Sequence, residues 1–118
     1  MADEAAYHDR DGWIWMNGSF VPWREASVHV LTHGLHYASA VFEGERAYDG
    51  AIFRGHEHSQ RLHNSATLMD FKIPYSADEI DRIKQETLQR SGLASAYVRC
   101  IAWRGSEKMG VSAHNNKI

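Results

Sequence analysis

The stretch His36–Phe53, HYASAVFEGERAYDGAIF, decides how the rest of the chain is arranged. Its second half reads as a β-hairpin. Phe42–Tyr48 and Ala51–Phe53 are strand-like, and Asp49-Gly50 supplies the positive φ angles of a tight two-residue turn. Side chains alternate along a strand, so Phe42, Gly44, Arg46 and Tyr48 share one face. Val41, Glu43, Glu45 and Ala47 share the other. The first face sets an aromatic, a gap, a cation and a phenol in succession. That makes a poor apolar core and suits the wall of a polar-tipped pocket, because glycine within a strand often marks close approach of a ligand or backbone. An edge hairpin with Arg46 in solvent and Gly44 at a bulge fits the same pattern.

Upstream, Trp13–Met16 reads as a strand, Asn17-Gly18 as a second tight turn and Ser19–Trp23 as the returning strand. Pro22 cannot donate a ladder hydrogen bond, so that strand is expected to lie at an edge or to end there. Ala26–Val30 alternates again, and Thr32–Ala38 reads as a loop or short turn. Residues 1–12 are polar and are expected to form a flexible N-terminus, leaving 13–118 as one domain.

Downstream, a helix is expected over His56–Met69, with His58, Leu62, Ser65 or Ala66, and Met69 as a weak inward stripe. Ser76-Ala-Asp-Glu79 is a capping box that starts a second helix, Ile80, Ile83, Thr87 and Leu88 give its inward face, and Gly92 ends it. Ala96–Trp103 is a strand. Val98, Cys100 and Ala102 are small and apolar, fit to lie beneath helices, while Tyr97, Arg99, Ile101 and Trp103 face the other way. The order of elements predicts an α+β fold: a largely antiparallel sheet with two helices packed on one face. The uncovered face, carrying Phe42, Arg46, Tyr97 and Arg99, needs a partner. No terminal element follows Trp103, and the chain is expected to continue beyond Ile118.

With 118 residues, 43% hydrophobic and 24% charged, the composition is that of an ordinary single globular domain. A net charge of −2 leaves no electrostatic footprint for nucleic acid or an anionic membrane. The one cysteine, Cys100, cannot form an internal disulfide, no stretch approaches a membrane span, and the acidic N-terminus lacks a signal-peptide core, so a cytoplasmic location is expected.

Eight histidines invite a metal site, but His56, His58 and His63 are spaced too unevenly to converge on one helix face, and His33 and His36 lack a third ligand. No metal is expected. No nucleophile elbow, dinucleotide fingerprint or phosphate loop is written in the chain. What remains is arginine on candidate site faces: Arg46 and Arg99 on strands, Arg61 on a helix. Guanidinium forks hold carboxylates and phosphates bidentately, so small anionic ligands fit best. Three surface arginines would give the same spacing.

Tyr37–Tyr48, YASAVFEGERAY, with WMNG at Trp15–Gly18, VHVLTHGLHY at Val28–Tyr37, FRGHEHSQRLHNSA at Phe53–Ala66, SAYVR at Ser95–Arg99 and KMGV at Lys108–Val111, resembles the branched-chain amino acid aminotransferases. These are fold-type IV enzymes that use pyridoxal 5'-phosphate. Nearly the whole chain is covered, and FEGxRxY and HxxRL occur in order at family-like spacing.

The resemblance implies that Arg61 grips the cofactor's phosphate. It implies that Tyr37, Phe42, Gly44 and Arg46 line the substrate side, with Phe42 against the aliphatic side chain and Gly44 leaving room for its branch. Tyr97 matches the tyrosine near the substrate α-carboxylate, and Arg99 matches the arginine that receives the distal carboxylate of glutamate. The loop with Met109 and Val111 resembles one that reaches the neighbouring subunit's site in a homodimer.

One departure matters. The chain's lysines are Lys72, Lys84, Lys108 and Lys117, and none matches the family's Schiff-base lysine. In the family that residue lies in a second domain, beyond Ile118 here. The resemblance therefore implies the small N-terminal domain of an enzyme that transfers an amino group between leucine, isoleucine or valine and 2-oxoglutarate, inactive by itself. A D-amino acid aminotransferase or a lyase of the same cofactor class would differ around Phe42–Tyr48. A non-catalytic module that keeps the fold is the other alternative.

Overall fold

The computed structural model describes residues 6–118. Two strands, β1 (Trp13–Met16) and β2 (Ser19–Pro22), are followed by a 3-10 turn at Trp23–Glu25 and a short helix, α1 (His33–Tyr37). Then come β3 (Ala40–Tyr48), β4 (Ala51–Ile52), α2 (Gly55–Leu68), α3 (Ala77–Ser91) and β5 (Ala96–Trp103). The strands make two antiparallel sheets, the β1-β2 ribbon and a three-stranded sheet of order β4-β3-β5. The α+β class, the antiparallel pairing and both helices are as the sequence predicts; the division into two sheets is new.

Each turn follows from its local chemistry. Asn17 (φ 53°) and Gly18 (φ 104°) close the first hairpin, and Asp49 (φ 49°) and Gly50 (φ 79°) the second. The Ser76 hydroxyl accepts the Glu79 amide at 3.1 Å, and Gly92 ends α3 at φ 72°. The Glu79 carboxylate accepts from the Ser76 hydroxyl at 3.2 Å, where a capping box would have it reach the backbone amide.

Where the sequence pattern alone misleads, long-range contacts supply the reason. Thr32–Ala38, read as a loop or short turn, contains the helix α1. This five-residue helix is too short to persist alone, and the His33 and Gly34 amides donate to the carbonyls of Gly105 (2.9 Å) and Arg104 (3.2 Å). Ala26–Val30 alternates in sequence but pairs with no strand among the described residues. The β1-β2 ribbon stays apart because it packs on the helical layer: Trp15 meets Tyr75 edge-on at 5.0 Å, and the Arg90 guanidinium lies 4.1 Å from the Phe20 ring. Of the N-terminal stretch expected to be flexible, residues 1–5 lie outside the described residues. Within the rest, Arg24 pairs with Asp9 (2.8 Å) and Asp11 (2.7 Å).

Helices α2 and α3 cover one face of the three-stranded sheet, and the core lies between them: Val41, Ala102, Leu62, Ala66, Phe71, Ile73 and Ile80. The buried stripe of α2 is Ser59, Leu62 and Ala66, and that of α3 is Ile80, Lys84 and Leu88, a steady four-residue spacing with a lysine at its centre. The inward face of β3 runs Val41, Glu43, Glu45, Ala47, all buried. Two carboxylates therefore lie under the helices, and each has found a cation. Glu45 meets the Lys84 amine at 2.7 Å with both side chains sequestered, and the amine also donates to the Gly55 carbonyl at 2.6 Å.

At the outer edge of this layer, His56 Nδ1 sits 2.5 Å from Asp81. The Asp81 hydrogen bond raises the His56 pKa above its ordinary 6.5, against a smaller desolvation effect. Burial pushes Asp81 up, but the bonds from Ser59 and His56 outweigh it and hold the carboxyl below 3.8. Stability from His56 is thus full below pH 6.5 and fades as pH rises through its elevated value; stability from Asp81 fades only in acid. His56→Asn is expected to destabilise at about pH 6 more than at about pH 9, measured by urea unfolding at both pH values. An equal effect at both would remove the charged pair from the account.

Candidate active-site face

The opposite face of the sheet is open. The register places Phe42 opposite Ile101, Gly44 opposite Arg99 and Arg46 opposite Tyr97, so all six side-chain positions fall on one surface. Phe42, Tyr97 and Ile101 are each about half exposed. A single β-pairing therefore gathers five of the sequence-predicted residues: Phe42, Gly44, Arg46, Tyr97 and Arg99.

Their contacts are specific. The Arg99 guanidinium lies 3.9 Å from the centre of the Phe42 ring, and one of its N–H groups points to the Tyr97 hydroxyl at 3.4 Å. Arg46 lies 5.8 Å from the Tyr48 ring centre. An aromatic platform thus carries a cation whose remaining donors face outward. Gly44 makes the arrangement possible: a methyl group there would overlap the Tyr97 hydroxyl and approach two ring carbons to 3.1 Å. The room left by the missing side chain is used, in this structure, by the Tyr97 phenol.

Because the obstructing atoms end a rotatable side chain, Gly44→Ala is expected to move the ring and spare the backbone. On the reading of this face as a substrate pocket, stability of the full-length protein should change by less than about 1 kcal/mol while KM for an aliphatic oxo acid rises about tenfold. Parallel urea unfolding and initial-rate measurements check this. Lost stability with unchanged KM would assign Gly44 to the strand alone.

Three further predicted residues, Tyr37, Met109 and Val111, are linked through a residue the sequence reading left without a role. Tyr37 ends α1 and stacks on the His33 ring, with centroids 4.4 Å apart. His33 is buried, its Nε2 donating to the Gly110 carbonyl at 2.7 Å and its Nδ1 2.5 Å from the Ser39 hydroxyl. The carbonyl can only accept, so Nε2 carries the proton. His33 thereby ties Tyr37 to the loop holding Met109 and Val111. That loop is anchored again where Asn116 donates to the carbonyls of Gly105 (3.0 Å) and Lys108 (2.8 Å). Val111 is 87% exposed, so the loop presents it outward.

Arg61 stands elsewhere, on α2, and reaches the inward side of β3. Its Nε lies 3.0 and 2.9 Å from the two oxygens of Glu43, and a terminal nitrogen lies 2.8 Å from Oε1. His58 Nδ1 adds a contact to the same oxygen at 2.7 Å. The Arg61 hydrogen bonds lower the Glu43 pKa against the opposing effect of burial, with His58 assisting. Of its five N–H donors Arg61 spends two on Glu43, and its side chain is 66% exposed. An oriented guanidinium with free donors fits the phosphate of a bound cofactor.

The histidines considered for a metal separate. His58 serves Glu43 and His56 serves Asp81, with Asp78 at 3.7 Å. Lys84, the one buried lysine among the described residues, is committed to Glu45 on the helical side of the sheet. Cys100 is pushed up to about 11, chiefly by burial and then by Glu45, and stays a thiol. Sequence reasoning missed Glu43, Glu45 and His33. The alternation of β3 already set both glutamates beside Val41 and Ala47, a signal that each must be buried against a cation.

Comparison with known proteins agrees with this architecture. The family model for amino-transferase class IV matches residues 40–118. The branched-chain-amino-acid aminotransferase of Pseudomonas aeruginosa is 49% identical over 114 residues, covering 93% of this chain and 37% of the relative. That of Escherichia coli K12 is 42% identical over 104 residues, covering 85% of this chain and 34% of the relative. Among solved structures, the E. coli branched-chain amino acid aminotransferase superposes with a TM-score of 0.85 at 40% identity, over 90% of this chain and 37% of its own. The branched-chain aminotransferase of the thermophilic archaeon Thermoproteus uzoniensis, solved with norvaline, gives 0.84 at 30% identity over 91% of this chain and 38% of its own. The chain thus spans about a third of the length of the relatives it matches. With a family match over most of its length and a shared fold, the chain belongs to the class IV aminotransferases.

Proposed function

We propose that this chain forms the substrate-side and phosphate-contacting part of a pyridoxal 5'-phosphate enzyme that transfers amino groups between branched-chain amino acids and 2-oxoglutarate. The observation that carries the reading is the β3-β5 face, where an aromatic platform and two arginines occupy one surface. A transaminase alternates between substrates, so its pocket must take an apolar side chain in one half-reaction and a carboxylate in the other. Phe42 offers the apolar contact. Arg99 offers a cation to the distal carboxylate, and Arg46 places a second positive charge on the same wall. Tyr97 supplies a hydroxyl for the α-carboxylate. Tyr37 closes the wall from α1, and Met109 and Val111 extend from a loop suited to a second subunit's site in a homodimer.

The free donors of Arg61 would hold the cofactor's phosphate. When bound, the cofactor supplies an electron sink for the substrate's α-carbon. Holding its aldehyde falls outside this chain: Lys84 is buried in an ion pair, and Lys72, Lys108 and Lys117 do not match the family's lysine. On this reading that role falls to the part of the relatives' length that the chain does not span, and the 118 residues by themselves are expected to be inactive.

Borohydride reduction of the full-length protein with cofactor, followed by peptide mapping, tests this division of labour. The adduct is expected on a lysine beyond Ile118. A stoichiometric adduct on Lys72, Lys84, Lys108 or Lys117 would overturn it.

A further inference from the structure

Glu43 is a costly feature for a strand that needed only an apolar side chain. It faces the helices between Val41 and Glu45, 5% exposed, and its neighbour across the sheet is Cys100. A buried carboxylate that must be paired is a poor route to stability, and its main partner, Arg61, is largely in solvent, where an ion pair contributes little. The geometry suits a different purpose. Both carboxylate oxygens engage the Nε side of the Arg61 fork, and His58, one turn earlier on α2, fixes Oε1 from a second direction. A long, flexible arginine is thereby held in one orientation with its outer N–H groups free.

We infer that Glu43, braced by His58, is the positioning residue that presents Arg61 to an anionic phosphate group. Glu43 belongs to the same strand as Phe42, Gly44 and Arg46, and it lies between the first two on the opposite face. The phosphate contact and the substrate wall are therefore referenced to one rigid strand. A shift of β3 would move both together and preserve the distance between the ends of the site. The inference rests on the proposed phosphate contact of Arg61.

Binding of pyridoxal 5'-phosphate and of pyridoxal to the full-length apoprotein tests it, each affinity taken from fluorescence quenching. The ratio of the two isolates the phosphate's contribution, which a purely structural role for Glu43 would leave untouched. In Glu43→Gln the amide would set an N–H donor against a donor of Arg61 at unchanged volume. The ratio is expected to fall about tenfold, with pyridoxal affinity altered less than about twofold. His58→Gln should lower it about threefold, and decides the matter if Glu43→Gln does not fold. An unchanged ratio in the folded variants, or an equal loss of both ligands, would overturn the inference when Arg61→Gln does lower the ratio. If Arg61→Gln leaves the ratio unchanged, the phosphate contact itself fails, and the positioning role with it.

Discussion

Arg99→Ala in the full-length protein is expected to lower kcat/KM for glutamate about 100-fold while leaving leucine within about fivefold. Arg99 lies across the Phe42 ring with its outer donors exposed, so a carboxylate arriving over Phe42 meets a charge already in place. Removing the guanidinium strands that carboxylate on an aromatic surface. Leucine has no distal charge and loses only the packing of the arginine stem over Phe42. Equal losses for both substrates would show that Arg99 holds the wall together without reading the carboxylate. Tyr97 gives an internal control, because its hydroxyl sits 3.4 Å from the same guanidinium and, under the proposed function, meets the α-carboxylate common to both substrates. Tyr97→Phe should affect both alike.

The largest stability effect is expected at Lys84. Its amine and the Glu45 carboxylate are sequestered together, with side-chain exposures of 2% and 0%, and the second Glu45 oxygen has no hydrogen-bond partner among the described residues. Lys84→Met leaves a buried carboxylate without its cation and should cost about 3–5 kcal/mol in urea unfolding of the full-length protein. Adding Glu45→Leu should recover most of that loss, because a well-packed apolar pair can replace a buried ion pair at little cost. A single substitution costing less than about 1 kcal/mol would mean that water reaches Glu45 and that the pair resembles a surface bridge.

Local chemistry made much of the fold readable. Asn17-Gly18 and Asp49-Gly50 mark their turns through backbone preference alone, Ser76 caps α3 with its own hydroxyl, and Gly92 stops it. The wall was readable because strand alternation is strict: Phe42, Gly44 and Arg46 face one way whatever their partner. What stayed hidden depends on distant segments. Helix α1 exists because Gly105 and Arg104, far along the chain, accept its first amides. The β1-β2 ribbon stands apart because of Tyr75 and Arg90, which no pattern within Trp13–Pro22 reveals. Lys84 falls between Ile80 and Leu88 on the inward face of its helix, and what a lysine does there follows only from Glu45 beneath it. Arg61 stood out as an anion-binding candidate by residue type and the family resemblance gave it the phosphate, whereas its pairing with Glu43 follows only from the packing of α2 on β3.

The common theme is that β3 works on both faces. Outward it carries the wall, and inward it holds one helix through Arg61 and His58 and the other through Lys84. That coupling explains why a strand so rich in charge can sit at the centre of a small sheet.

The most direct test of the proposed function is a single-turnover comparison of L-leucine with D-alanine, followed as cofactor absorbance in the full-length protein. A wall built from Phe42, Gly44, Arg46 and Arg99 for a branched apolar side chain should favour L-leucine by at least about 100-fold in rate over concentration. A preference for D-alanine, or no reaction with either, would contradict it.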